Sequence, residues 1–338
     1  MPATIRDVAL LAGVSPSTVS RALSVPDMVN VDTRARVAIA VERLHYHPNR
    51  AARGLITGRT GNVGLVVPDV ANPFFASVVK GVQARARRDD IAVFVADTDE
   101  EPAVEAGLIR ALAKQVDGLV LCSPRSSAED LAAIAEETNV VLINRGVMGV
   151  TGIRFDDEDA MRQALAHLVA LGHRQIAWVA GPDASWSNQH RTVGLRAAAT
   201  ARDVELIEVG NFAPTYEGGV AAADQVVATE ATAVVTYNDL IAIGLLSRLH
   251  ARGISVPDDL SVLGVDDIEM SRMAIPALST IRLPQQRAGQ IAVETLIGLI
   301  TMPEAVPPIL RSNALTGELI VRNSTGPAPS PKGRKRSP

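Results

Sequence analysis

The sequence predicts a small all-α domain at the N-terminus, followed by a larger α/β core made of two similar lobes. Within the first 45 residues, apolar side chains recur at helical spacing on both sides of a glycine-containing turn. From Asn62 onward, short apolar runs alternate with helical segments, which is typical of parallel strands covered on both faces. There are too many such units for one small sheet. We therefore expect two lobes hinged near residues 156–162, with a cleft at the carboxyl ends of their strands.

Composition narrows the class of protein. The chain has 338 residues, of which 47% are hydrophobic and 21% are charged, and this length suggests several domains. Cys122 is the single cysteine, which excludes an intrachain disulfide and disfavours a cysteine-based metal site. The N-terminus has no basic leader with a long apolar run, and no segment is apolar over the length of a membrane span. We expect a protein of the cytoplasm.

The charge is unevenly distributed along the chain. Residues 1–60 contain eight arginines, no lysine and four acidic residues, whereas residues 61–323 carry a net charge of −12. Residues 324–338 add four basic residues and no acid, which brings the total to −4. A basic N-terminal domain on an acidic body favours a polyanionic partner for that domain alone, and a chance distribution is the alternative.

Residues 4–24 are predicted to form two short helices. Thr4 caps the first helix in a capping box with Asp7, and Gly13 ends it in a left-handed turn. Ser15 caps the second helix, which begins at Pro16 and runs to about Leu23. The inward residues are expected to be Ile5, Val8, Ala9 and Ala12 in the first helix and Val19, Ala22 and Leu23 in the second. The outward residues of the second helix are expected to be Ser17, Thr18, Ser20 and Arg21.

A third helix, over residues 31–45 and capped by Asn30, is expected to bury Ala35, Ala38, Ile39, Val41 and Leu44. Two short helices across a tight turn, braced by a third, indicate a helix-turn-helix DNA-binding domain over residues 1–47. The small polar side chains and the arginine of the second helix suit base edges and phosphates in a major groove. A three-helix bundle that binds no nucleic acid is the alternative.

Residues 48–60 are predicted to form a linker that contains a short helix over residues 50–56, capped by Asn49. A helix of this length is marginal alone, so it can be helical when bound and disordered when free. An ordinary linker with an incidental leucine at Leu55 is the alternative. The core is expected to span residues 61–323, and residues 324–338 are predicted to be a disordered basic tail.

Seven strands and eight helices are predicted in the core. The strands are Val63–Val67, Ile91–Ala96, Gly118–Cys122, Val140–Ile143, Ile176–Ala180, Ala233–Thr236 and Ser261–Val265. The helices cover residues 74–88, 102–114, 127–137, 157–171, 188–201, 216–228, 239–252 and 285–301.

Motifs for nucleotide cradles, nucleophile elbows and zinc-dependent hydrolysis are missing from the sequence. The six histidines lack the spacing of a zinc site, so we expect no cofactor and no metal. The acid pairs Asp156–Asp157 and Asp266–Asp267 follow strands, where helix capping or ligand contact is a commoner role than catalysis. An enzyme is therefore disfavoured.

Several aromatic residues follow strands, and polar side chains lie close to them in the sequence. The aromatic residues are Phe74, Phe75, Trp186, Phe212 and Tyr237, and the polar residues are Asn72, Ser185, Ser187, Asn188, Arg191, Asn238 and Asp239. Aromatic faces with convergent polar groups are typical of a cleft that binds a sugar or a flat metabolite. Any one of these aromatic residues could instead fill the core.

The chain resembles the LacI/GalR family of bacterial transcriptional repressors over about residues 4–323. The resemblance is carried by TIRDVALLAGVSPSTVSRAL, VDTRARVAIAVERLHYHPNRAARGL, GLVVPDVANPFF, LGHRQIAWVAGP, TYNDLIAIGLL and SVLGVDDIEMSRMAIPALSTI, in that order. It implies a core of two Rossmann-like lobes resembling periplasmic sugar-binding proteins. It also implies a homodimer that binds a near-palindromic double-stranded operator.

By this resemblance, the DNA-binding residues are Thr4, Ser15, Pro16, Ser17, Thr18, Ser20, Arg21, Asn30, Tyr46, Asn49, Ala52, Arg53 and Leu55. Ser17, Thr18 and Arg21 lie at base-reading positions. Pro16 lies beside them but cannot donate a hydrogen bond. Leu55 lies on the short linker helix, where paired leucines wedge into the minor groove.

The resemblance also implies a small-molecule effector bound between the lobes. The effector-binding residues would be Phe74, Phe75, Asn144, Ser185, Trp186, Ser187, Arg191, Phe212, Asn238 and Asp266, with Arg191 and Asp266 as the main partners of ligand hydroxyls. Purine-binding members carry arginine where this chain has Ser185, which favours a sugar. Many relatives have aspartate at the position of Asn144. A regulator that responds to a phosphoprotein and a plain solute-binding protein are the alternatives.

Overall fold

The computed structural model describes residues 3–24, 26–46, 59–302 and 314–329. The chain divides into two compact units, Met1–Gly61 and Asn62–Pro338. In these described ranges, no helix combines the length and the apolar character needed to cross a membrane.

In the described part of the N-terminal unit, three α-helices have ends that follow the predicted capping. They are α1 (Ile5–Ala12), α2 (Pro16–Ser24) and α3 (Val31–Arg43). Thr4 and Asp7 form the predicted capping box, and Gly13 ends α1 with φ of 64°. The Ser15 hydroxyl accepts a hydrogen bond from the amide of Thr18 at 3.1 Å, and the Asn30 side chain caps α3. The helix-turn-helix geometry predicted from these residues is confirmed.

Four residues that were expected to be buried in this unit are exposed. Its core consists of Val8, Ala9, Ala12, Val19, Ala22, Val37, Ala40 and Tyr46. Leu23, expected inside, is 38% exposed, and Ile39 is 57% exposed. Ala35 and Ala38 are exposed as well. The inward face of α3 runs through Val37, Ala40, Val41 and Leu44, at positions i, i+3, i+4 and i+7. Val41 and Leu44 were predicted to lie on this face, whereas Val37 and Ala40 were not.

The first lobe of the core is a five-stranded parallel sheet in the order β2-β1-β3-β4-β5. Its strands are β1 (Asn62–Val67), β2 (Ala92–Asp97), β3 (Leu119–Cys122), β4 (Val140–Ile143) and β5 (Gly152–Ile153). The helices that follow its strands are α4 (Pro73–Ala86), α5 (Pro102–Ala113) and α6 (Ala128–Glu137). Strands β3 and β4 are buried throughout, as their continuous apolar sequences predict.

The second lobe is a six-stranded sheet in the order β11-β10-β9-β8-β6-β7. Its strands are β6 (Gln175–Ala180), β7 (Glu205–Asn211), β8 (Ala233–Thr236), β9 (Ser261–Asp266), β10 (Ser279–Arg282) and β11 (Glu318–Ile320). Its helices are α7 (Asp157–Ala170), α8 (Trp186–Thr200), α9 (Tyr216–Val227), α10 (Asp239–Ala251) and α11 (Glu269–Met273). The β10–β11 pair is antiparallel, and the other pairs are parallel.

A hinge was expected near residues 156–162, but residues 157–162 lie inside α7, so only Asp156 of that range lies at a crossing between the lobes. The chain first passes between the lobes at Phe155 and Asp156, where the amide of Asp156 donates to the Leu315 carbonyl at 3.0 Å. It returns with α12 (Gln285–Thr301), which packs on α4 of the first lobe. Strand β11 then lies in the second lobe again.

The prediction of a disordered tail is wrong for residues 324–329, and residues 330–338 lie outside the described part of the chain. Ser324 is fully buried, and its hydroxyl accepts from the amide of Ser279 and donates to the carbonyl of Val262. The imidazole of His173 lies 3.0 Å from the Gly326 carbonyl. Hydrogen bonds to buried groups hold residues 324–326 in place. The absence of large apolar residues in this segment therefore did not indicate disorder.

Asp239 is a buried carboxylate that joins three elements of the second lobe. It accepts hydrogen bonds from Ser271 (2.6 Å), Thr280 (2.6 Å) and the amide of Ile268 (3.0 Å). The pKa of Asp239 is raised from 3.8 to about 7, mainly by burial and also by the nearby charge of Asp267. The three hydrogen bonds lower the pKa, but their effect is smaller than that of burial.

The return of α12 predicts a stability difference between two glycine substitutions. A Cβ on Gly81 of α4 would collide with the Gln286 carbonyl of α12, whereas one on Gly107 of α5 would meet nothing within 4 Å. Gly81→Ala should destabilise the protein by about 2–3 kcal/mol through overpacking. The matched change Gly107→Ala should stabilise α5 by about 0.5–1 kcal/mol. Urea unfolding measures both, and equal stability of the two variants would contradict the close α4–α12 contact.

The raised pKa of Asp239 predicts a pH-dependent stability. Because its folded pKa of about 7 exceeds the ordinary 3.8, its contribution is complete below pH 3.8 and declines as the pH rises through 7. Between pH 5 and pH 8, the wild type should lose about 2 kcal/mol more unfolding free energy than Asp239→Asn, which does not titrate. Denaturant titrations at both pH values measure this difference. Parallel pH profiles of the two proteins would refute the assignment.

Candidate functional site

A cavity lies between the two lobes of the core, at the carboxyl ends of their strands. This is where open α/β sheets bind ligands. The lining residues are Asn72, Phe74, Phe75, Glu100, Ser123 and Asn144 from the first lobe, and Ser187, Arg191, Pro214, Tyr237, Asn238 and Asp266 from the second.

The apolar wall of the cavity comes from the start of α4. The Asn72 side chain caps this helix by accepting a hydrogen bond from the amide of Phe74 at 3.0 Å. The rings of Phe74 and Phe75 meet edge to face with centroids 5.0 Å apart, and Phe155 packs on Phe74 at 5.9 Å. The rings are therefore fixed before any ligand arrives, and they offer apolar surface to one face of a small molecule.

Arg191 supplies the cation of the cavity. From α8, its Nε donates to Asp157 at 2.9 Å, and its Nη1 donates to the Tyr237 carbonyl at 2.6 Å. Its guanidinium carbon lies 5.0 Å from the centre of the Tyr237 ring. Burial raises the pKa of Asp157, while Arg191 lowers it. The guanidinium is thus held in one orientation by Asp157 of α7 and by Tyr237, which follows β8.

Asp266 places a buried carboxylate opposite this cation. It ends β9 with φ of 122°, a backbone region that residues with a side chain rarely adopt. Burial raises its pKa well above 3.8, Arg191 lowers it, and Asp239 and Asp157 raise it again. A carboxylate with so little compensating charge is suited to accept hydrogen bonds from ligand hydroxyl or amino groups.

Asn144 offers a second acceptor. Its Nδ2 donates to the Ser123 hydroxyl at 3.0 Å, whereas its Oδ1 is buried and has no hydrogen-bond partner. An unpaired buried acceptor costs roughly 1–3 kcal/mol. A ligand donor in the cavity would remove that cost.

Three residues predicted to bind the effector do not line the cavity. Ser185 is fully buried, and its hydroxyl lies 3.0 Å from that of Tyr237, so it orients a lining side chain. The Trp186 ring stacks on His190 at 3.6 Å, with the Arg154 guanidinium 5.8 Å away. Phe212 follows β7 and packs against the core.

The other predicted residues of this set, Phe74, Phe75, Asn144, Ser187, Arg191, Asn238 and Asp266, do line the cavity. The Asn238 amide is already engaged, because its Oδ1 caps α10 and its Nδ2 donates to the Pro214 carbonyl. Sequence reasoning missed Glu100, Ser123 and Pro214. It placed Asn72 and Tyr237 in the general pattern of aromatic and polar residues expected of a ligand cleft, but not among the effector-binding residues. Position in the sequence could have indicated two of the missed residues, because Ser123 directly follows β3 and Glu100 lies three residues after the end of β2.

The N-terminal unit presents a polar surface on α2. The Ser15 hydroxyl lies 2.8 Å from those of Ser17 and Thr18, and Arg21 is exposed. Thr4 and Asn30 are engaged as helix caps. Tyr46 is only 9% exposed and serves the packing of the unit. Asn49, Ala52, Arg53 and Leu55 lie outside the described residues.

Two family models together match most of the chain. One, for bacterial regulatory proteins of the lacI family, matches residues 4–49. The other, for periplasmic binding proteins and the sugar-binding domain of the LacI family, matches residues 60–316. The HTH-type transcriptional repressor CytR of Escherichia coli (strain K12) is 31% identical to this chain, with 97% of each protein covered.

Solved structures agree with these matches. The lac repressor dimer bound to operator and the anti-inducer ONPF is 28% identical, with a TM-score of 0.85, and the match covers 96% of this chain and 100% of that one. A complex of the transcriptional regulator CelR with cellobiose is 31% identical, with a TM-score of 0.70 and coverage of 95% and 99%. The predicted fold class is confirmed, and the chain belongs to the LacI family of bacterial regulatory proteins.

Proposed function

We propose that this protein represses transcription as a homodimer on near-palindromic operator DNA, and that an effector with sugar-like hydroxyl groups in the cleft controls its affinity for the operator. The observation that carries the effector assignment is the arrangement of Arg191, Asp266 and Asn144 in one cavity. Together they offer a fixed donor and two acceptors next to an aromatic wall.

The proposal for DNA rests on the exposed polar surface of α2. Ser17, Thr18 and Arg21 suit base edges and phosphates, and the second helix of a helix-turn-helix lies in the major groove. The lac repressor provides a structure of a relative on its operator. The contacts assigned to the hinge residues Asn49, Ala52, Arg53 and Leu55 belong to the same proposal.

The proposal for a sugar rests on the chemistry of the lining residues. Hydroxyl groups both donate and accept, so one polyol can satisfy the Asn144 and Asp266 acceptors and the Arg191 donor together. The aromatic rings then cover the apolar face of the ligand. Two comparisons support this class of ligand, namely the sugar-binding domain model and the cellobiose complex of CelR.

Regulation follows from the origin of the lining residues in both lobes. A ligand that contacts both lobes binds best to one arrangement of them, so it shifts the population toward that arrangement. It changes operator affinity only by as much as its affinity differs between the two states. A plain solute-binding protein would have no use for the N-terminal unit. A phosphoprotein partner remains the second candidate within the family.

The proposed dimer is supported by exposed apolar side chains in each lobe. Phe94 and Val95 are exposed on the edge strand β2, and Ile275 is almost fully exposed after α11. Exposed apolar residues on an edge strand favour association unless a partner covers them. The partner we assign is a second copy of this chain, as in the lac repressor dimer.

The effector mechanism is tested by Asp266→Asn, which keeps the shape of the side chain and removes its charge. DNA fragments selected by the wild type from a genomic library provide the operator, and a thermal-shift screen of sugars provides the effector. The variant should bind the operator as tightly as the wild type. It should bind the effector about 10–100-fold more weakly, because hydrogen bonds to charged groups contribute most. Fluorescence anisotropy with and without the sugar measures both properties.

Asp258→Asn is the matched control, since Asp258 is exposed and does not line the cavity. It should respond to the sugar as the wild type does. An unchanged response of Asp266→Asn would remove Asp266 from the site. Failure of the wild type to prefer any fragment over random DNA would refute the repressor function.

The dimer is tested by placing a carboxylate on each exposed apolar position. Phe94→Glu and Ile275→Glu should each weaken self-association by about tenfold or more, because a charge would have to be desolvated in the interface. Sedimentation velocity measures the change. Val193→Glu, at an exposed position of α8, serves as the control and should leave the dimer intact. Wild-type protein that stays monomeric at all concentrations would overturn the proposal.

A further inference from the structure

We propose that Glu100 is a specificity residue of the effector cavity, which accepts a hydrogen bond from an uncharged, hydroxyl-bearing effector and excludes the phosphorylated form of the same sugar. This inference rests on the proposed function of the cavity, because it concerns which ligands that cavity accepts. Four observations support it: the backbone at Glu100, its pairing with Arg125, the charges that line the cavity, and its exposure relative to Arg125.

The backbone that carries Glu100 is held in an unfavourable conformation. Asp99 and Glu100 follow β2 with φ of 53° and 59°, so two consecutive residues with side chains occupy the left-handed region. The amide of Glu100 donates to the Pro68 carbonyl at 2.8 Å, and the amide of Asp99 donates to the Asp97 side chain at 2.9 Å. Such strain persists only where the surrounding contacts fix it, and here it places Glu100 at the cavity wall.

The partner of Glu100 is Arg125, and it is already fully engaged. Its Nε and Nη2 donate to the two carboxylate oxygens of Glu100 at 2.8 and 3.0 Å. Its Nη1 donates to the Ser123 carbonyl at 3.0 Å. Glu105, a second buried carboxylate, accepts the Arg125 amide at 2.9 Å. Arg125 therefore has no uncompensated charge to offer an anionic ligand.

The exposed member of this pair is the carboxylate. The Glu100 side chain is 23% exposed, whereas that of Arg125 is 3% exposed and lies behind it. A ligand at this wall meets carboxylate oxygens, which accept hydrogen bonds and repel negative charge. A hydroxyl group donates to them readily, and a phosphate cannot.

The remaining charges of the cavity point the same way. The charged residues that line it are Glu100, Arg191 and Asp266. Arg191 is already paired with Asp157 at 2.9 Å, and both side chains are buried. A phosphate would enter beside the carboxylate of Glu100, and the one cation that lines the cavity, Arg191, is already paired with Asp157. In a partly buried site, such repulsion is worth more than it would be in water.

The experiment compares free sugars with their phosphate esters on the full-length protein. D-ribose with ribose 5-phosphate and D-glucose with glucose 6-phosphate are the probes, and isothermal titration gives each affinity. The wild type should bind a free sugar about 100-fold more tightly than its ester, since repulsion in a site of low dielectric is strong. Glu100→Gln should reduce this ratio to about tenfold or less, because it removes one carboxylate and leaves Arg125 uncompensated.

Two further variants separate charge from shape. Glu100→Asp keeps the charge and should keep the discrimination. Glu101→Gln alters an exposed neighbouring acid and should behave as the wild type. Thermal unfolding confirms that each variant is folded.

The outcomes distinguish this inference from the function on which it rests. If free sugars bind and change operator affinity, but esters bind equally well or Glu100→Gln leaves the ratio unchanged, the inference is overturned and the proposed function stands. If neither sugars nor esters bind, both are overturned.

Discussion

The buried guanidinium of Arg191 is the constraint on which the effector site depends. From its position on α8, Arg191 donates hydrogen bonds to Asp157, the first residue of α7, and to the backbone carbonyl of Tyr237, which follows β8. Removing one member of such a pair leaves an uncompensated buried charge, which costs about 3–5 kcal/mol. Three elements are therefore held in one arrangement, and the cavity wall they form changes only when all of them move.

This constraint lies beside the passage between the lobes. Asp157 directly follows Phe155 and Asp156, where the chain first passes from one lobe to the other and pairs with Leu315. Phe155 also packs on Phe74 of the cavity wall. Residues that we propose to contact the effector and residues that fix the connection between the lobes thus touch each other directly. The proposed contact of the effector with Arg191 would therefore lie only one or two residues from the connection between the lobes.

The sequence predicted most of the fold because its strongest signals are local. Short continuous apolar runs such as Val140–Ile143 favour buried strands, and the capping residues Thr4, Ser15 and Asn30 indicate where helices begin. The elements it missed carry weak local signals. Strand β5 has two residues, and no residue of edge strand β7 is fully buried. Helix α12 packs on the first lobe through contacts between residues far apart in the sequence, such as the close approach of Gly81 to Gln286. Hydrophobic periodicity within one segment does not predict such contacts.

The residues of the candidate site also fall into those that local sequence signals predicted and those that they did not. Arg191, Asp266 and Asn144 stand at or near strand ends or on a helix start, within motifs that resemble a known family, so their place in the cavity could be anticipated. Ser185 could not be separated from its neighbours, because capping turns its hydroxyl inward toward Tyr237. Glu100 was marked only by its place three residues after β2, and the two left-handed residues that bring it to the cavity leave no signal in the sequence.

The second lobe buries more acidic side chains than its stability requires. Asp157, Asp239 and Asp266 are all buried within the second lobe, and burial raises the pKa of each. Apolar residues of similar size would fold at lower cost, as replacement of buried charges in other proteins indicates. Three hydrogen bonds within the lobe offset the desolvation cost of burying Asp239. Asp266, in contrast, lines the cavity. A ligand with several hydroxyl groups supplies the missing donors, so the same charge that weakens the empty lobe strengthens binding. The proposed preference for a neutral, donor-rich effector would in this sense be a consequence of how the second lobe is stabilised.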